Sequence, residues 1–438
     1  MRKEVARADA SPPTGFLRAG LATLAGLGLS AAFATTPQSD QGNAAADRFL
    51  DLLREWNTAS ETLPVYLEAR AEKEGGGSQR AQLVAMMASE LGLYDAAVEA
   101  WPLGSGATRS QPSSLPPADA KVVDAGEAIA RLARDHRVVV VNEAHHAAQT
   151  RAIFLDLLPR LRELGFDWYC AETLAEDDVG RLQREGYPVR ASGVYSKEPV
   201  FGAVLRRAVR LGYSVCAYEA EGDSQQARET GQAENIARLL REHPRSRILV
   251  HAGYGHARKD ITVHDARPMA AEIARLAGIE PLAVDQTTLA AVAARENRAY
   301  RPLLARLPPG ARASVFVDAG GHPWSLEPAA YDVSVVLPSP PPRYGRAGWL
   351  WTIPGKVPVS GFDADCMDRY PCAIEARHVG EGRGAVSADI VVREQAEEAI
   401  PSLALFPGDY TLRFIGPDGA ELRETSLKVD AASHQENH

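Results

Sequence analysis

Residues 137–146 read Arg-Val-Val-Val-Val-Asn-Glu-Ala-His-His, and the unit they open closes at 166–172 with Phe-Asp-Trp-Tyr-Cys-Ala-Glu. The valines at 138 to 141 are too short a run and too β-branched for a helix, which predicts a strand covered on both faces. Downstream, Ile153, Phe154, Leu157, Leu158, Leu161 and Leu164 recur at the spacings of one helical stripe, and Gly165 is placed to end it. Phe166 to Ala171 is again short, aromatic and apolar, so the unit reads as strand, crossover helix and parallel strand. Loops at the carboxyl ends of such strands open on one crevice, where ligands bind. Topology therefore sets Glu143, His145, His146 and Glu172 side by side.

The same grammar continues. A helix over 200–211 leads to a strand, Tyr213 to Tyr218, that ends in Glu219. A helix carrying Arg228, Gln232 and Asn235 runs on to His243, and Arg247 to Val250 is a fourth strand before His251-Ala252-Gly253-Tyr254-Gly255-His256. Met269 to Leu276 reads as helix, Pro281 to Val284 as a fifth strand and Ala313 to Val317 as a sixth. This alternation predicts an α/β fold, a mostly parallel sheet with flanking helices, over 120–325. Asp124 is placed to cap a helix over Ala125 to Arg134. Upstream, 35–103 reads as a helical segment with Phe49, Leu52, Leu53 and Trp56 on one face, and 104–119 as a linker rich in Ser, Pro, Gly and Thr. Downstream, 326–438 is expected to form a small all-β appendage with strands at 331–337, 386–392, 409–415 and 421–429. Gly416-Pro417-Asp418-Gly419 is its hairpin turn. The passage 173–199 is irregular and long, the texture of a lid over the crevice.

Composition sets limits on function. The chain has 438 residues, a net charge of -9 and 24% charged residues, those of an ordinary globular protein, with no basic cluster to seek nucleic acid. Arg2, Lys3, Arg7 and Arg18 precede a small apolar run, Leu21 to Phe33, closing on Ala32-Phe33-Ala34, which describes a signal peptide over 1–34. The expectation is an exported protein, periplasmic or secreted, with no stable membrane span after cleavage. Cys366 and Cys372 are spaced to close a short loop, whereas Cys170 and Cys216 read as buried thiols within strands. No Cys-x-x-Cys occurs, so zinc ribbons and thioredoxin chemistry lack support.

Chemistry concentrates at four strand ends: Glu143 with His145 and His146, Glu172, Glu219, and His251 with His256. Burying so many charges without partners is expensive, so their convergence points to a site. A His held by a carboxylate is a general base near neutral pH, and a second His or Arg228 can stabilise a developing oxyanion. The same groups offer metal ligands with an open position, as in zinc or manganese sites, through His145, Glu172 and His256. Arg228, Asn235 and Tyr254 are the candidates to bind a small-molecule or peptide substrate. The residues leave water activation and metal binding as alternatives. No Gly-x-Ser-x-Gly elbow, dinucleotide fingerprint or Walker loop follows the strands.

Asn142-Glu143-Ala144-His145-His146, Ala171-Glu172, the Arg228 to Asn235 helix and Val250-His251-Ala252-Gly253-Tyr254-Gly255-His256 together resemble the clan that joins erythromycin esterases, ChaN-like haem-binding proteins and TIKI/TraB peptidases. The likeness covers roughly 135–290. The esterase pattern matches Glu143 and His146, and the other two place the histidine at His145. Asn142 and Ala147 stand where glycines are usual. The resemblance implies that Glu143 with His145 or His146 activates water or ligates metal, that Glu172 is the partner carboxylate, that His256 closes the site and that Arg228 binds or polarises substrate. It also implies an alternative, a haem binder in which Tyr254 or a histidine faces the haem.

Overall fold

The computed structural model describes residues 40–72, 77–101, 115–260, 266–290 and 298–430. The expected signal peptide and most of the 104–119 linker lie outside them. The strands of the central region are β1 (Lys121–Asp124), β2 (Val138–Glu143), β3 (Trp168–Ala171), β4 (Ser214–Ala217), β5 (Ile248–Gly253), β6 (Leu282–Asp285), β7 (Ser314–Val317) and β8 (Val333–Ser334). Six of them form one parallel sheet in the order β4-β3-β5-β2-β6-β8.

The valine run works as its composition predicts. Val139 and Val141 enter the apolar core that holds Phe154, Leu157 and Leu158 of the helix Gln149–Glu163, while Val138 and Val140 enter a second core with Ile236, Leu240 and Ile273. Side chains alternate across a strand, so one strand serves two cores. From β2 the chain passes outward to β3 and β4, then returns to β5 and crosses to β6. The carboxyl ends of β2, β3 and β5 therefore surround the point where strand order reverses, the place where open α/β sheets bind ligands.

Several elements differ from the sequence reading. Ser314–Val317 pairs antiparallel with β1, a strand the pattern did not reveal, instead of joining the parallel sheet. The sixth parallel strand is β8, from a stretch read as the first strand of the appendage; it pairs with β6 through Val284↔Val333. A short apolar run buried on both sides has no period that tells one sheet from another. The 173–199 passage is no bare loop, because Glu176–Glu185 forms a helix ended by Gly186 at φ 84, followed by two 3-10 turns.

The four helices Asp40–Thr58, Thr62–Ala71, Gly77–Glu90 and Tyr94–Ala100 precede the sheet, with Leu52, Leu53, Trp56, Leu83 and Met87 buried. Asp124 caps the helix Ala125–Ala133 by accepting from the Glu127 amide. The carboxyl-terminal strands are β9 (Val357–Val359), β10 (Cys372–His378), β11 (Asp389–Arg393), β12 (Leu403–Leu405), β13 (Gly408–Ile415) and β14 (Glu421–Val429). They form an antiparallel sheet, β11-β10-β13-β14, and a β12-β9 pair, with β13 and β14 joined through the expected hairpin. No helix among the described residues is long and apolar enough to cross a membrane.

Both cysteine pairs are disulfides, Cys366–Cys372 as spaced and Cys170–Cys216 against the expectation of thiols. Register is the reason: β3 and β4 place Cys170 directly opposite Cys216, with Cα atoms 4.5 Å apart. This bond joins residues 46 positions apart and ties edge strand β4 to the sheet. Replacing both cysteines by alanine is expected to cost about 2–5 kcal/mol in denaturant unfolding. A double variant as stable as the wild type would contradict the assignment.

Candidate active site

The helix Gln149–Glu163 follows β2 and brings back one charged side chain, Arg151, on the same stripe as Phe154 and Leu158. Its guanidinium is buried, so its charge must be matched nearby. Arg151 Nε donates to Glu143 Oε2 (2.5 Å), Nη2 to Glu143 Oε1 (3.2 Å) and to the His145 carbonyl (2.7 Å), and Nη1 to Glu198 Oε2 (3.1 Å). Glu198 also caps the helix Pro199–Arg210 through the Val200 and Phe201 amides and accepts the Tyr94 hydroxyl at 3.0 Å. Burial alone would push the Glu143 carboxyl up. Arg151, with His251 and His145, outweighs it and holds the group well below the usual carboxylate range.

Glu143, so fixed, bonds His145 Nδ1 at 2.8 Å. A carboxylate on Nδ1 selects the Nδ1–H tautomer and leaves Nε2 with its lone pair. His145 Nε2 is buried and has no partner among the described residues. It lies over Gly253, where a Cβ would stand 2.5 Å from Nε2 and 2.7 Å from Glu172 Oε2. Only glycine lets these two groups close over β5.

A second arginine organises Glu172. Arg228, on the helix Gln225–Glu242, donates Nη2 to Glu172 Oε1 and to Glu219 Oε2, both at 2.9 Å, and Nε to Glu219 Oε1 at 3.0 Å. The Gly253 amide donates to the other Glu172 oxygen. His256 bonds Glu229 through Nδ1 at 2.8 Å, and its Nε2 lies 3.6 Å from Glu172. Burial works against the charged imidazole of His256, but Glu229 and Glu172 outweigh it and raise its pKa. Glu172 is likewise pushed up by burial and held well below its ordinary value by His256, His145 and Arg228.

The structure thus gathers Glu143, His145, Glu172, Glu219, Arg228 and His256 at one rim, with His251 against Glu143, Tyr254 against the His145 ring at 4.8 Å between centroids, and His146 and Asn235 turned to other partners. His146 bonds the Tyr254 hydroxyl at 3.2 Å and packs on Trp101; burial, with His145 and Arg151, drives its pKa down to about 3. His251 stacks on Phe154 at 3.8 Å, bonds the Tyr169 hydroxyl at 2.7 Å and rests 3.1 Å from Glu143. Asn235 donates to the Tyr218 and Glu219 carbonyls and so holds the end of β4 rather than a substrate. The expected metal set is not assembled. The Arg228 guanidinium bonds Glu172 and lies 3.1 Å from His256 Nε2, and among the described residues no three His, Cys, Asp or Glu side chains are arranged to hold an ion. Tyr254, a residue expected to face a haem in the alternative reading, has its hydroxyl bonded to His146.

Arg151, Glu198, Glu229 and Tyr195 were not singled out from sequence. A charged residue on an otherwise apolar helix stripe was the available signal for Arg151, and Glu-Pro at a helix start for Glu198. Tyr195, from the 173–199 passage, stacks on His145 with centroids 3.8 Å apart. Nothing local marks it.

No family model matches the chain, and no curated protein matches it. Among solved structures it is similar to the type III effector HopBA1 at 12% identity and a TM-score of 0.32, over 52% of this chain and 97% of that one. It is also similar to a structure described as bacterial protein toxins at 12% identity and a TM-score of 0.27, over 57% of this chain and 47% of that one. Likeness at this level carries no information about activity.

Two outcomes follow from the ion pairs. Arg151→Met leaves two buried carboxylates unmatched and should cost about 3–5 kcal/mol in urea unfolding, where a loss under 1 kcal/mol would contradict the burial argument. Glu143 and Glu172 have folded-state pKa values below the unfolded value of about 4.3, so their contribution is fully present above that pH and is lost as pH falls through the folded values. Unfolding free energy measured against pH should therefore drop on the acid side, and Glu143→Gln should flatten that drop.

Proposed function

We propose that the chain is an exported hydrolase of an ester or peptide bond in which His145, oriented by Glu143, activates water. The observation that carries this reading is the pairing of His145 Nδ1 with Glu143 at 2.8 Å while Nε2 stays unpartnered beside Glu172. The Glu143 and Glu172 positions also support membership of the clan that joins erythromycin esterases, ChaN-like haem-binding proteins and TIKI/TraB peptidases, the His145 register being that of the ChaN and TIKI patterns. The signal-like amino end and two disulfides support export.

In the proposed reaction, water sits between His145 Nε2 and Glu172. Nε2 takes a proton as the water oxygen bonds to the carbonyl carbon, and the C=O electron pair moves to oxygen. Collapse of that intermediate expels the leaving group, which takes the proton back from Nε2. Arg228 and the His256 imidazole keep Glu172 ionised, so the carboxylate orients the water without competing for its proton. Glu219, with 18% of its side chain exposed, is the most solvent-open carboxylate that Arg228 clamps, and it marks the side from which a substrate approaches.

The test is hydrolysis of p-nitrophenyl acetate and of a fluorogenic peptide panel by the purified mature protein. His145→Ala and Glu143→Gln are expected to lower kcat by about 10²–10⁴, the range for loss of a general base. His146→Ala should remain near wild type, because His146 has no carboxylate partner. Turnover that survives in His145→Ala, or no turnover of any probe by the wild type, would remove the proposal.

A further inference from the structure

We propose that the Tyr195 hydroxyl donates a hydrogen bond to the oxygen that becomes negative during hydrolysis, which makes Tyr195 a catalytic residue; this rests on the hydrolase reading above. The phenol is 3% exposed, lies face to face with His145 at 18° between planes, and its hydroxyl has no partner among the described residues. A buried hydroxyl left without a partner costs free energy unless a ligand satisfies it.

Elimination supports the assignment. The other arginine and tyrosine donors around His145 are already engaged. Arg228 is committed to Glu172 and Glu219, and His256 Nδ1 to Glu229. The Tyr254 hydroxyl bonds His146, Tyr169 bonds His251, Tyr218 donates to the His251 carbonyl, and Tyr94 donates to Glu198. Tyr195 O–H remains, and it stands on the same imidazole whose Nε2 also lacks a partner. After burial itself, the Glu172 charge acts on this phenol most strongly, and both push its pKa well above the ordinary value, so the hydroxyl keeps its proton. Such a group is a hydrogen-bond donor and not a base. As His145 takes the water proton and charge moves to the carbonyl oxygen, the phenol supplies the donor that a water-excluding site otherwise lacks. No proton leaves Tyr195 at any step.

This points to substrates whose carbonyl oxygen can approach the Tyr195 hydroxyl beside the stacked His145 ring. 4-Nitrophenyl methylphosphonate, a tetrahedral monoanion, mimics that state for p-nitrophenyl acetate, and its binding needs no turnover. By calorimetry, Tyr195→Phe should bind it about tenfold or more weakly than wild type, as expected for loss of a hydrogen bond to a charged group. The same variant should lose about 10²–10³ in kcat on p-nitrophenyl acetate, with KM near wild type. Tyr195→Phe keeps the stacked ring, so its circular dichroism and thermal midpoint should match wild type. If it does not fold, the wild-type chain labelled with fluorotyrosine should show a shifted ¹⁹F resonance on adding the phosphonate. No binding by the wild type, unweakened binding by Tyr195→Phe, or no ¹⁹F shift overturns the assignment. Full activity in Tyr195→Phe with an inactive His145→Ala overturns the Tyr195 role and leaves the hydrolase reading standing. An active His145→Ala overturns both.

Discussion

A guanidinium sealed under the end of a parallel sheet has to be matched on the spot, and Arg151 is matched by Glu143 from the central strand and Glu198 from the start of the next helix. The pair of bonds on Glu143 holds that carboxylate at the angle His145 needs. Arg228 repeats the device one strand over, clamping Glu172 and Glu219. His145 sits between the two clamps. Buried ion pairs of this kind add little net stability, since desolvation offsets much of the attraction, but they strongly disfavour any other arrangement of the same groups. Their value here is geometric.

The clamps also connect regions that share no sheet. Glu198 receives the Tyr94 hydroxyl from the amino-terminal helices, and Tyr195, three residues earlier, covers His145. Lys197 lies between them, its amine donating to Asn57 at 2.8 Å and sitting 4.4 Å over the Trp56 ring. Burial lowers its pKa to about 7 despite the Glu90 charge. The segment from 195 to 198 is thus fixed by both the helical region and the active-site network. A substitution at Trp56 or Asn57 would reach the site through it.

The positions of Glu143, His145, Glu172, Glu219, Arg228 and His256 were legible because strand ends in a parallel sheet are brought together by topology, whatever the distances along the chain. Which of two adjacent histidines pairs with Glu143 was not legible; it depends on Arg151, and a charge on a helix is ordinarily read as solvated. Asn235 looked like a ligand-binding residue from its spacing with Arg228, but its amide is taken up by backbone carbonyls at the end of β4. Strand β8 was assigned to the wrong layer because two buried residues carry no periodicity, and the Cys170–Cys216 bond was missed because register cannot be read from one sequence. Tyr195 lies in a stretch whose irregular texture hid a helix and two tight turns.

Glu143 on Nδ1 selects the Nδ1–H tautomer of His145 and leaves Nε2 with its lone pair. Long-range ¹H–¹⁵N correlation spectra of the histidine rings in the protein, assigned with His145→Ala and repeated in Glu143→Gln, measure this directly. A protonated Nδ1 and an unprotonated Nε2 are expected for the neutral His145 ring, with that pattern disturbed in Glu143→Gln. An Nε2–H tautomer in the wild type, or spectra indifferent to Glu143→Gln, would contradict it.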